Sequence, residues 1–298
     1  MAELSAQGET PEVLFWVGCA GSFDDRARRI VKAFAHLLEK AGVRFAVLGT
    51  EESCTGDPAK RAGNEFLFQM QAMMNIEVLN NYQVTKIVTT CPHCFNTIKN
   101  EYPALGGNYE VMHHTQLLKK LIDEGRLTIE GGTFRGKRIT FHDPCYLGRA
   151  NKVYNAPREI LERLEVDLVE MKKCKSRAMC CGAGGAQMFK EAEKGDKEIN
   201  VLRTEQALEV HPDIIATACP FCNTMMRSML RTVHSRWAIM SAVRPWVSFI
   251  IASCTRASVV LSTLAVASSS SRIGASRYRA RANTMSWRCP TDRFAPRS

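Results

Sequence analysis

Cysteine is the residue type whose number and spacing indicate chemistry in this chain, which has 12 cysteines among 298 residues. Cys180 and Cys181 are adjacent, and Gly182, Gly184 and Gly185 follow them. The N-terminus has neither the basic nor the apolar segment of a secretory signal, so we expect a cytoplasmic, reducing location. Cysteines in such a compartment serve more often as metal ligands or redox groups than as structural disulfides.

The cysteines recur along the chain at a nearly constant offset. The repeated pairs are Cys19 and Cys145, Cys54 and Cys181, Cys91 and Cys219, and Cys94 and Cys222, at offsets of 126, 127, 128 and 128 residues. Their contexts also match, since "KIVTTCPHCFNTI" corresponds to "DIIATACPFCNTM". Such self-similarity indicates a duplicated unit. We predict a first repeat at residues 1–130, a second at 131–229, and a different segment at 230–298.

The two repeats offer different numbers of thiols. The first has Cys19, Cys54, Cys91 and Cys94, and the second has Cys145, Cys180, Cys181, Cys219 and Cys222. Four thiolates suit either tetrahedral zinc or a cubane [4Fe–4S] cluster. A fifth does not suit zinc, whereas adjacent cysteines can reach two irons of one cluster. The glycines after the doublet would let backbone N–H groups approach the cluster sulfurs, so the stretch indicates a cluster site.

Apolar runs and helical patterns alternate in each repeat. Strands are predicted at 13–18, 43–49 and 86–90 in the first repeat, and at 138–142, 166–170 and 214–217 in the second. One helix is predicted to follow Ser22, which would be its N-cap, and another is predicted from Asp57 to about Asn80. This order predicts an α/β fold of two pseudo-symmetric Rossmann-like repeats with mainly parallel sheets. The cysteines follow strand ends, so we expect cluster sites at the C-terminal edge of each sheet.

The motif "C…CCG…CPFC" of the second repeat resembles the cysteine-rich CCG domain. This domain is duplicated in the B-type subunit of heterodisulfide reductase and occurs in related iron–sulfur oxidoreductase subunits. The resemblance implies that the five cysteines of the second repeat bind a noncubane [4Fe–4S] cluster. The first repeat departs from the motif, because Ser53 stands where the doublet's first cysteine would be. There a cubane cluster on the four cysteines is expected, with an empty or structural site as the alternative.

The resemblance implies electron transfer to or from a disulfide, a thiol or a partner redox subunit. In the family the noncubane cluster has an iron that can bind a substrate sulfur. One alternative is a non-catalytic relay subunit of a lactate, glycolate or glycerol-3-phosphate dehydrogenase complex, and another is a zinc-stabilised binding module. No G-x-G-x-x-G follows a strand, so NAD and flavin are not expected. Flavoprotein or ferredoxin-like partner subunits are therefore predicted to exchange electrons with this chain.

Other polar residues adjoin the predicted ligands. His93 and His142 can be iron ligands or hydrogen-bonding neighbours of the ligands. Cys174 is interpreted as a free thiol, with a spare ligand or a resolving thiol as the alternative. A basic run lies close to the doublet, at Lys172, Lys173, Lys175 and Arg177. This run is either a solvated loop or a site of attraction for an acidic substrate or partner.

The net charge of +10 belongs to the C-terminal segment. From Arg231 onward there are 11 arginines and one acidic residue, Asp292, so the first 230 residues carry 29 basic and 29 acidic side chains. Nucleic-acid binding by the body of the chain is therefore not expected. The segment is interpreted as a disordered basic tail, a membrane or acidic-surface anchor, or an out-of-frame translation. Membrane association is otherwise expected only through a partner.

Overall fold

The computed structural model describes residues 1–129, 132, 134–191, 195–237 and 265–267. The remaining positions, which include most of the segment 230–298 and residues 130, 131 and 133 at the predicted boundary between the repeats, lie outside the described part. The division of the chain into segments at residues 130 and 229 therefore stays a prediction.

The first repeat is a four-stranded parallel sheet with helices. Its elements are α1 (Ala2–Ala6), β1 (Val13–Trp16), α2 (Gly18–Phe23), α3 (Asp25–Lys40), β2 (Phe45–Ala46), α4 (Asp57–Arg61), α5 (Glu65–Asn81), β3 (Lys86–Thr89), α6 (Pro92–Asn100), β4 (Glu110–His113) and α7 (His114–Asp123). The strand order is β2-β1-β3-β4, and every neighbouring pair is parallel. All four side chains of β1 are buried, as expected where helices cover both faces of a parallel sheet.

The second repeat follows the same plan. Its elements are β5 (Arg138–His142), a π-helix (Tyr146–Ala150), α8 (Asn155–Arg163), β6 (Asp167–Leu168), α9 (Ile199–Leu208), β7 (Ile214–Thr217), α10 (Pro220–Trp237) and β8 (Ala265–Ala267). Strands β6, β5 and β7 are parallel in that order, and β8 pairs antiparallel with β7. The predicted α/β fold of two Rossmann-like repeats with mainly parallel sheets is confirmed.

One continuous apolar core joins the two repeats. It includes Phe15, Phe34 and Phe95 from the first repeat, and Phe141 and Leu161 from the second. Because the repeats share this core, the C-terminal edges of their sheets are held in a fixed relation to each other, which matters for the sites described below.

Two predicted helix boundaries are wrong. Asp24 is the N-cap of α3, because its carboxylate accepts hydrogen bonds from the N–H groups of Arg26 and Ala27, whereas Ser22 lies inside α2. The predicted helix from Asp57 to about Asn80 is two helices. The second of them starts after Asn64, whose side chain accepts a hydrogen bond from the Leu67 N–H. Such caps contribute about 1 kcal/mol each and therefore fix where a helix begins.

Candidate metal centres

Strand ends position the cysteines of both repeats. Cys19 and Cys91 follow β1 and β3, and Cys145 and Cys219 follow β5 and β7. Each C-P-x-C motif lies where a strand ends and the next helix begins. Cys91 is the N-cap of α6, and Pro92 occupies a first-turn position where its missing N–H costs nothing. Among the described residues every cysteine is a free thiol.

The structure brings the four thiols of the first repeat together. Cys19 hydrogen-bonds with Cys54, which raises the pKa of Cys19 and lowers that of Cys54. The hydrogen bond with Cys91 and then burial raise the pKa of Cys94. Gly18 has a φ of +76°, and a Cβ atom there would lie 3.4 Å from the Cys94 sulfur. A glycine therefore lets the β1–α2 turn pass close to the thiols.

Ser53, Asn75 and Trp16 border this first site as neutral side chains, while the ion-paired Asp57 and His93 line the same cavity. Ser53 donates a hydrogen bond of 2.8 Å to Asn75 Oδ1, and the Asn75 amide donates to the Cys54 carbonyl and to the Tyr102 hydroxyl. Trp16 lines the same cavity, and its indole N–H is buried without a hydrogen-bond partner. Glu52 accepts from the Val17 and Gly18 N–H groups, although burial raises its pKa to about 7.

The second repeat brings five thiols together. The Cys181 and Cys222 sulfurs are 3.1 Å apart. Cys180 hydrogen-bonds with both Cys145 and Cys181, which lowers its pKa. Burial acts to raise the pKa of Cys219, but hydrogen bonds with Cys222 and His93 lower it to about 5. The structure therefore places all five cysteines of the motif at one edge of the sheet.

Cysteine exposure shows which side of each site is open. Cys181, Cys219 and Cys222 are buried, whereas Cys145 and Cys180 are half-buried. The first site repeats this arrangement, with Cys91 and Cys94 buried and Cys19 and Cys54 half-buried. Among the described residues, the C-P-x-C side is therefore the closed side of each site, and the half-buried cysteines mark its open side.

The glycine loop after the doublet directs backbone donors at a thiol. The Gly182 N–H donates to the Cys180 sulfur at 3.3 Å, and the Gly184 backbone also hydrogen-bonds with it. Gly182 and Gly185 have φ angles of +87° and +66°, which residues other than glycine rarely adopt. Gly185 thus shapes the loop, while Gly182 and Gly184 supply its donors.

A histidine and an arginine border the second site on its buried side. A ring nitrogen of His142 and the sulfurs of Cys181 and Cys222 lie within 4.8 Å of one another. Burial and the Arg203 charge lower the pKa of His142 to about 3, so the ring is neutral. The Arg203 Nε–H donates to His142 Nδ1 at 3.0 Å. Of this pair only Arg203 is charged.

His93 connects the two repeats. Its Nδ1 lies 2.8 Å from the Asp57 carboxylate, and its ring also hydrogen-bonds with the Cys219 thiol of the second repeat. The ring packs edge-on against Tyr146 and Phe221, with centroids 4.7 and 5.1 Å away. In turn, Phe221 lines the first site. The third residue of each C-P-x-C motif therefore reaches the site of the other repeat.

Asp143 and Cys174 form a separate group beside the second site. The Asp143 carboxylate accepts from both Nη atoms of Arg158, at 2.7 and 3.0 Å, and from the Lys175 N–H. Cys174 hydrogen-bonds with Glu170. The basic run near the doublet is exposed, namely Lys172, Lys173, Lys175 and Arg177.

The donor sets fit iron–sulfur clusters. The second site assembles five thiols, and backbone N–H groups point at the sulfur of its half-buried doublet cysteine. A structural zinc site has four ligands and therefore does not bind a fifth thiolate. Hydrogen bonds to the sulfurs of a cluster are a general feature of iron–sulfur proteins. Cys145, Cys180, Cys181, Cys219 and Cys222 would hold one cluster, and the four thiols of the first repeat would hold another.

Sequence reasoning missed three neighbours of the sites: Trp16, Asn75 and Arg203. The repeat offset was the available signal. Trp16 precedes His142 by 126 residues, and Asn75 precedes Arg203 by 128, the same offsets that relate the cysteines. Aligning the whole repeats, and not only their thiols, would have paired these residues.

Among the described residues, no helix combines the length and the apolar composition that crossing a membrane requires. The group of His142, Cys181 and Cys222, whose ligand atoms are close enough to share a metal ion, belongs to the second site.

Comparison with known proteins gives consistent matches. The model of the cysteine-rich domain family CCG matches residues 13–99 and 139–227. The EtfAB:quinone oxidoreductase of Syntrophomonas wolfei is 47% identical over 238 residues, which are 78% of this chain and 33% of that protein. The probable iron-sulfur-binding oxidoreductase FadF of Bacillus subtilis is 50% identical over 225 residues, 75% of this chain and 32% of that protein.

A third relative is the D-type subunit of the dihydromethanophenazine:CoB–CoM heterodisulfide reductase of Methanosarcina barkeri. It is 35% identical over 222 residues, which are 71% of this chain and 52% of that protein. The chain thus spans about a third to a half of the length of these relatives. Both family matches contain a set of converging thiols described above, and the chain therefore belongs to the cysteine-rich CCG family of iron–sulfur oxidoreductases, which implies iron–sulfur clusters as its cofactors.

Proposed function

We propose that this chain is a heterodisulfide reductase B-like subunit, which passes electrons between a partner redox subunit and a disulfide or thiol. The observation that carries the proposal is the difference between the two sites. Five thiols meet in the second repeat and four in the first, and the doublet cysteine Cys180 is at the open side. A noncubane [4Fe–4S] cluster in the second repeat and a cubane cluster in the first match these donor sets.

The overall reaction needs an external reductant. Reduction of a disulfide consumes two electrons and two protons, breaks the S–S bond and yields two thiols. Iron–sulfur clusters transfer electrons one at a time when bound. The electrons would come from a reduced flavoprotein or ferredoxin-like subunit, which is oxidised by one electron per transfer. Since no NAD or flavin motif occurs, such a partner is part of the proposal.

The surroundings of the second site suit an acidic substrate or partner. The half-buried Cys145 and Cys180 lie at its open side, and the exposed side chains of Lys175 and Arg177 come shortly before the doublet. Exposed cations near a half-open site attract anions and increase the rate of encounter. The basic run is therefore assigned to the approach of an anionic thiol, disulfide or acidic protein surface.

The relatives favour a second candidate, a relay role without bond chemistry. One relative is named an EtfAB:quinone oxidoreductase, which fits a subunit that passes electrons towards a quinone pool. His93 lies at the second site and Phe221 at the first, so the closed sides of the two sites are close together. Proximity of this kind suits transfer between two clusters.

The test is anaerobic purification followed by iron and acid-labile sulfide analysis and electron paramagnetic resonance (EPR). We expect brown protein whose oxidised EPR signal changes when a small thiol or disulfide is added. Signals that ignore thiols would favour the relay candidate. Colourless protein that contains no metal would overturn both candidates. Colourless protein that contains zinc would overturn them and favour the zinc-stabilised module.

A further inference from the structure

Arg203 is a buried cation without a carboxylate partner. The residue is fully buried in α9, and its Nε–H and Nη1–H donate to His142 Nδ1 and to the Lys173 carbonyl at 3.0 and 2.8 Å. Its Nη2 has no hydrogen-bond partner. No carboxylate within the described ranges lies at ion-pair distance from it. An uncompensated buried charge costs several kcal/mol, so this guanidinium requires an anion nearby.

The thiols of the second site are the anions available to Arg203. Burial lowers the pKa of Arg203, and the charges of Asp143 and Cys222 act against that shift. Asp143 is already paired with Arg158 through two hydrogen bonds. Cys174 also acts on Arg203, but it hydrogen-bonds with Glu170. The other two groups are Cys181 and Cys222, which belong to the site and approach His142.

His142 lies between the Arg203 guanidinium and the sulfurs of Cys181 and Cys222. A guanidinium only donates hydrogen bonds, so the His142 Nδ1 that receives the Arg203 Nε–H must be the acceptor. The ring is then neutral and carries its proton on Nε2. That nitrogen is buried and has no hydrogen-bond partner. Arg203 therefore fixes a tautomer that leaves a donor free for a sulfur.

The first repeat shows what replaces this pair when the fifth thiol is missing. Ser53 stands 127 residues before Cys180, Asn75 stands 128 before Arg203, and Trp16 stands 126 before His142. Ser53 donates to Asn75, so a neutral pair fills the positions of a thiol and a guanidinium. The extra thiolate and the extra cation therefore occur together in one repeat and are both absent from the other.

We propose that Arg203 is the counter-charge of the buried thiolates of the second site, Cys181 and Cys222, and that through His142 it stabilises the reduced state of the cluster in the second repeat. Both residues are positioning residues, since they act on the electrostatics of the site. The inference rests on the proposed function, because it requires that a cluster is bound by the five thiols of the second repeat.

The experiment compares matched variants of the cluster-loaded full chain by EPR-monitored redox titration. Arg203→Met removes the charge, Arg203→Lys retains it, and His142→Phe removes the donor. Arg163→Met removes an exposed arginine of the same repeat and serves as the control. The Cys181→Ser variant assigns the signals to the two sites, and the first cluster is the internal reference.

Loss of a nearby cation makes addition of an electron less favourable. We expect Arg203→Met to lower the equilibrium constant for one-electron reduction of the second cluster at least tenfold, about 59 mV. Arg203→Lys should lower the potential of the second cluster by no more than half as much as Arg203→Met does. Arg163→Met should shift the potential of neither cluster. His142→Phe should lower the second potential by a smaller amount.

Four results would overturn the inference. A second-cluster potential in Arg203→Met equal to that in Arg163→Met removes the role of the charge. Equal shifts of both clusters show a general loss of structure. If Arg203→Met and Arg203→Lys both lose the second cluster, His142→Phe decides, and an unchanged potential in that variant contradicts the inference. Wild-type protein without a second cluster would overturn the proposed function as well.

Discussion

The two repeats share one backbone plan but differ in the charge of their sites. The first surrounds four thiols with the neutral side chains of Ser53, Asn75 and Trp16. The second has a cysteine, Arg203 and His142 at the corresponding positions. The difference teaches that the repeat with the extra thiol also has a buried arginine at the position where the other repeat has Asn75.

Packing explains why such changes come in sets. Trp16, Asn75, His142 and Arg203 are buried, and at such positions one unpaired charge costs several kcal/mol. Ser53 is exposed and Cys180 is half-buried. A cysteine at position 53 alone would add a thiolate beside the neutral Asn75. An arginine at position 75 alone would bury a cation without a partner. The lone arginine is the costlier intermediate, because position 75 is buried whereas position 53 is exposed.

The largest expected effect comes from removing a buried thiol of the doublet. Cys181→Ser takes away a ligand that lies 3.1 Å from the Cys222 sulfur. We expect iron and acid-labile sulfide per chain to fall by about half, because the first site keeps its four thiols. Iron analysis, sulfide analysis and visible absorbance measure this change.

Cys174→Ser is the matched control for that prediction. The Cys174 thiol hydrogen-bonds with Glu170, so its loss should leave the iron content unchanged. If Cys181→Ser released both clusters while circular dichroism remained that of the wild type, the two sites would depend on each other for loading. The comparison between independent repeats would then fail.

A smaller effect is expected when the second site is converted to the composition of the first. Cys180→Ser leaves Arg203 with less counter-charge, and Arg203→Asn leaves five thiolates without it. The double variant has serine at position 180 and asparagine at position 203, as the first repeat has at positions 53 and 75. We therefore expect the double variant to lose iron to a chelator more slowly than Arg203→Asn does.

The double-mutant cycle isolates this coupling from the separate effects of each change. Both substitutions make side chains smaller or keep their size, so overpacking does not contribute. Chelator release followed by loss of visible absorbance gives the rates. Strictly additive effects would show that the fifth thiol and the arginine are unrelated, and the comparison of the two repeats would lose its electrostatic basis.

Sequence alone predicted the duplication, the α/β fold and the strand ends that carry the cysteines. These features depend on local periodicity and on spacing, which the chain shows directly. The N-cap of α3 was misassigned, because Ser22 and Asp24 are both good capping residues and only the path of the chain selects between them. The break between α4 and α5 at Asn64 was missed for a similar reason.

The cross-repeat contacts could not be predicted from sequence. The C-P-H-C motif indicates that His93 adjoins ligands of its own repeat, but the structure also places it against Cys219 and Phe221. That contact depends on how the two sheets meet through the shared core. By contrast, the pairing of Asn75 with Arg203 was accessible, because the repeat offset extends beyond the cysteines.

The smallest expected effect tests this contact between repeats. His93→Phe installs the residue that the second repeat carries at the equivalent position, Phe221, and it removes the hydrogen bond to Cys219. Asp57 keeps Arg61 as a partner, with Arg61 Nε 3.1 Å from its carboxylate, so the variant should fold. Because hydrogen bonds to charged groups contribute about 1.5–3 kcal/mol, of which only part differs between redox states, we expect a modest fall in the second-cluster potential.

The same redox titration measures the effect, and the expected fall is roughly 59 mV or less. His93→Gln retains a side-chain donor and should recover part of the loss, and His36→Phe, at an exposed histidine of α3, should change nothing. A larger shift of the first cluster than of the second would mean that His93 acts mainly on its own repeat. In that case the two sites would be neighbours in space without the cross-repeat hydrogen bond affecting the redox properties of either.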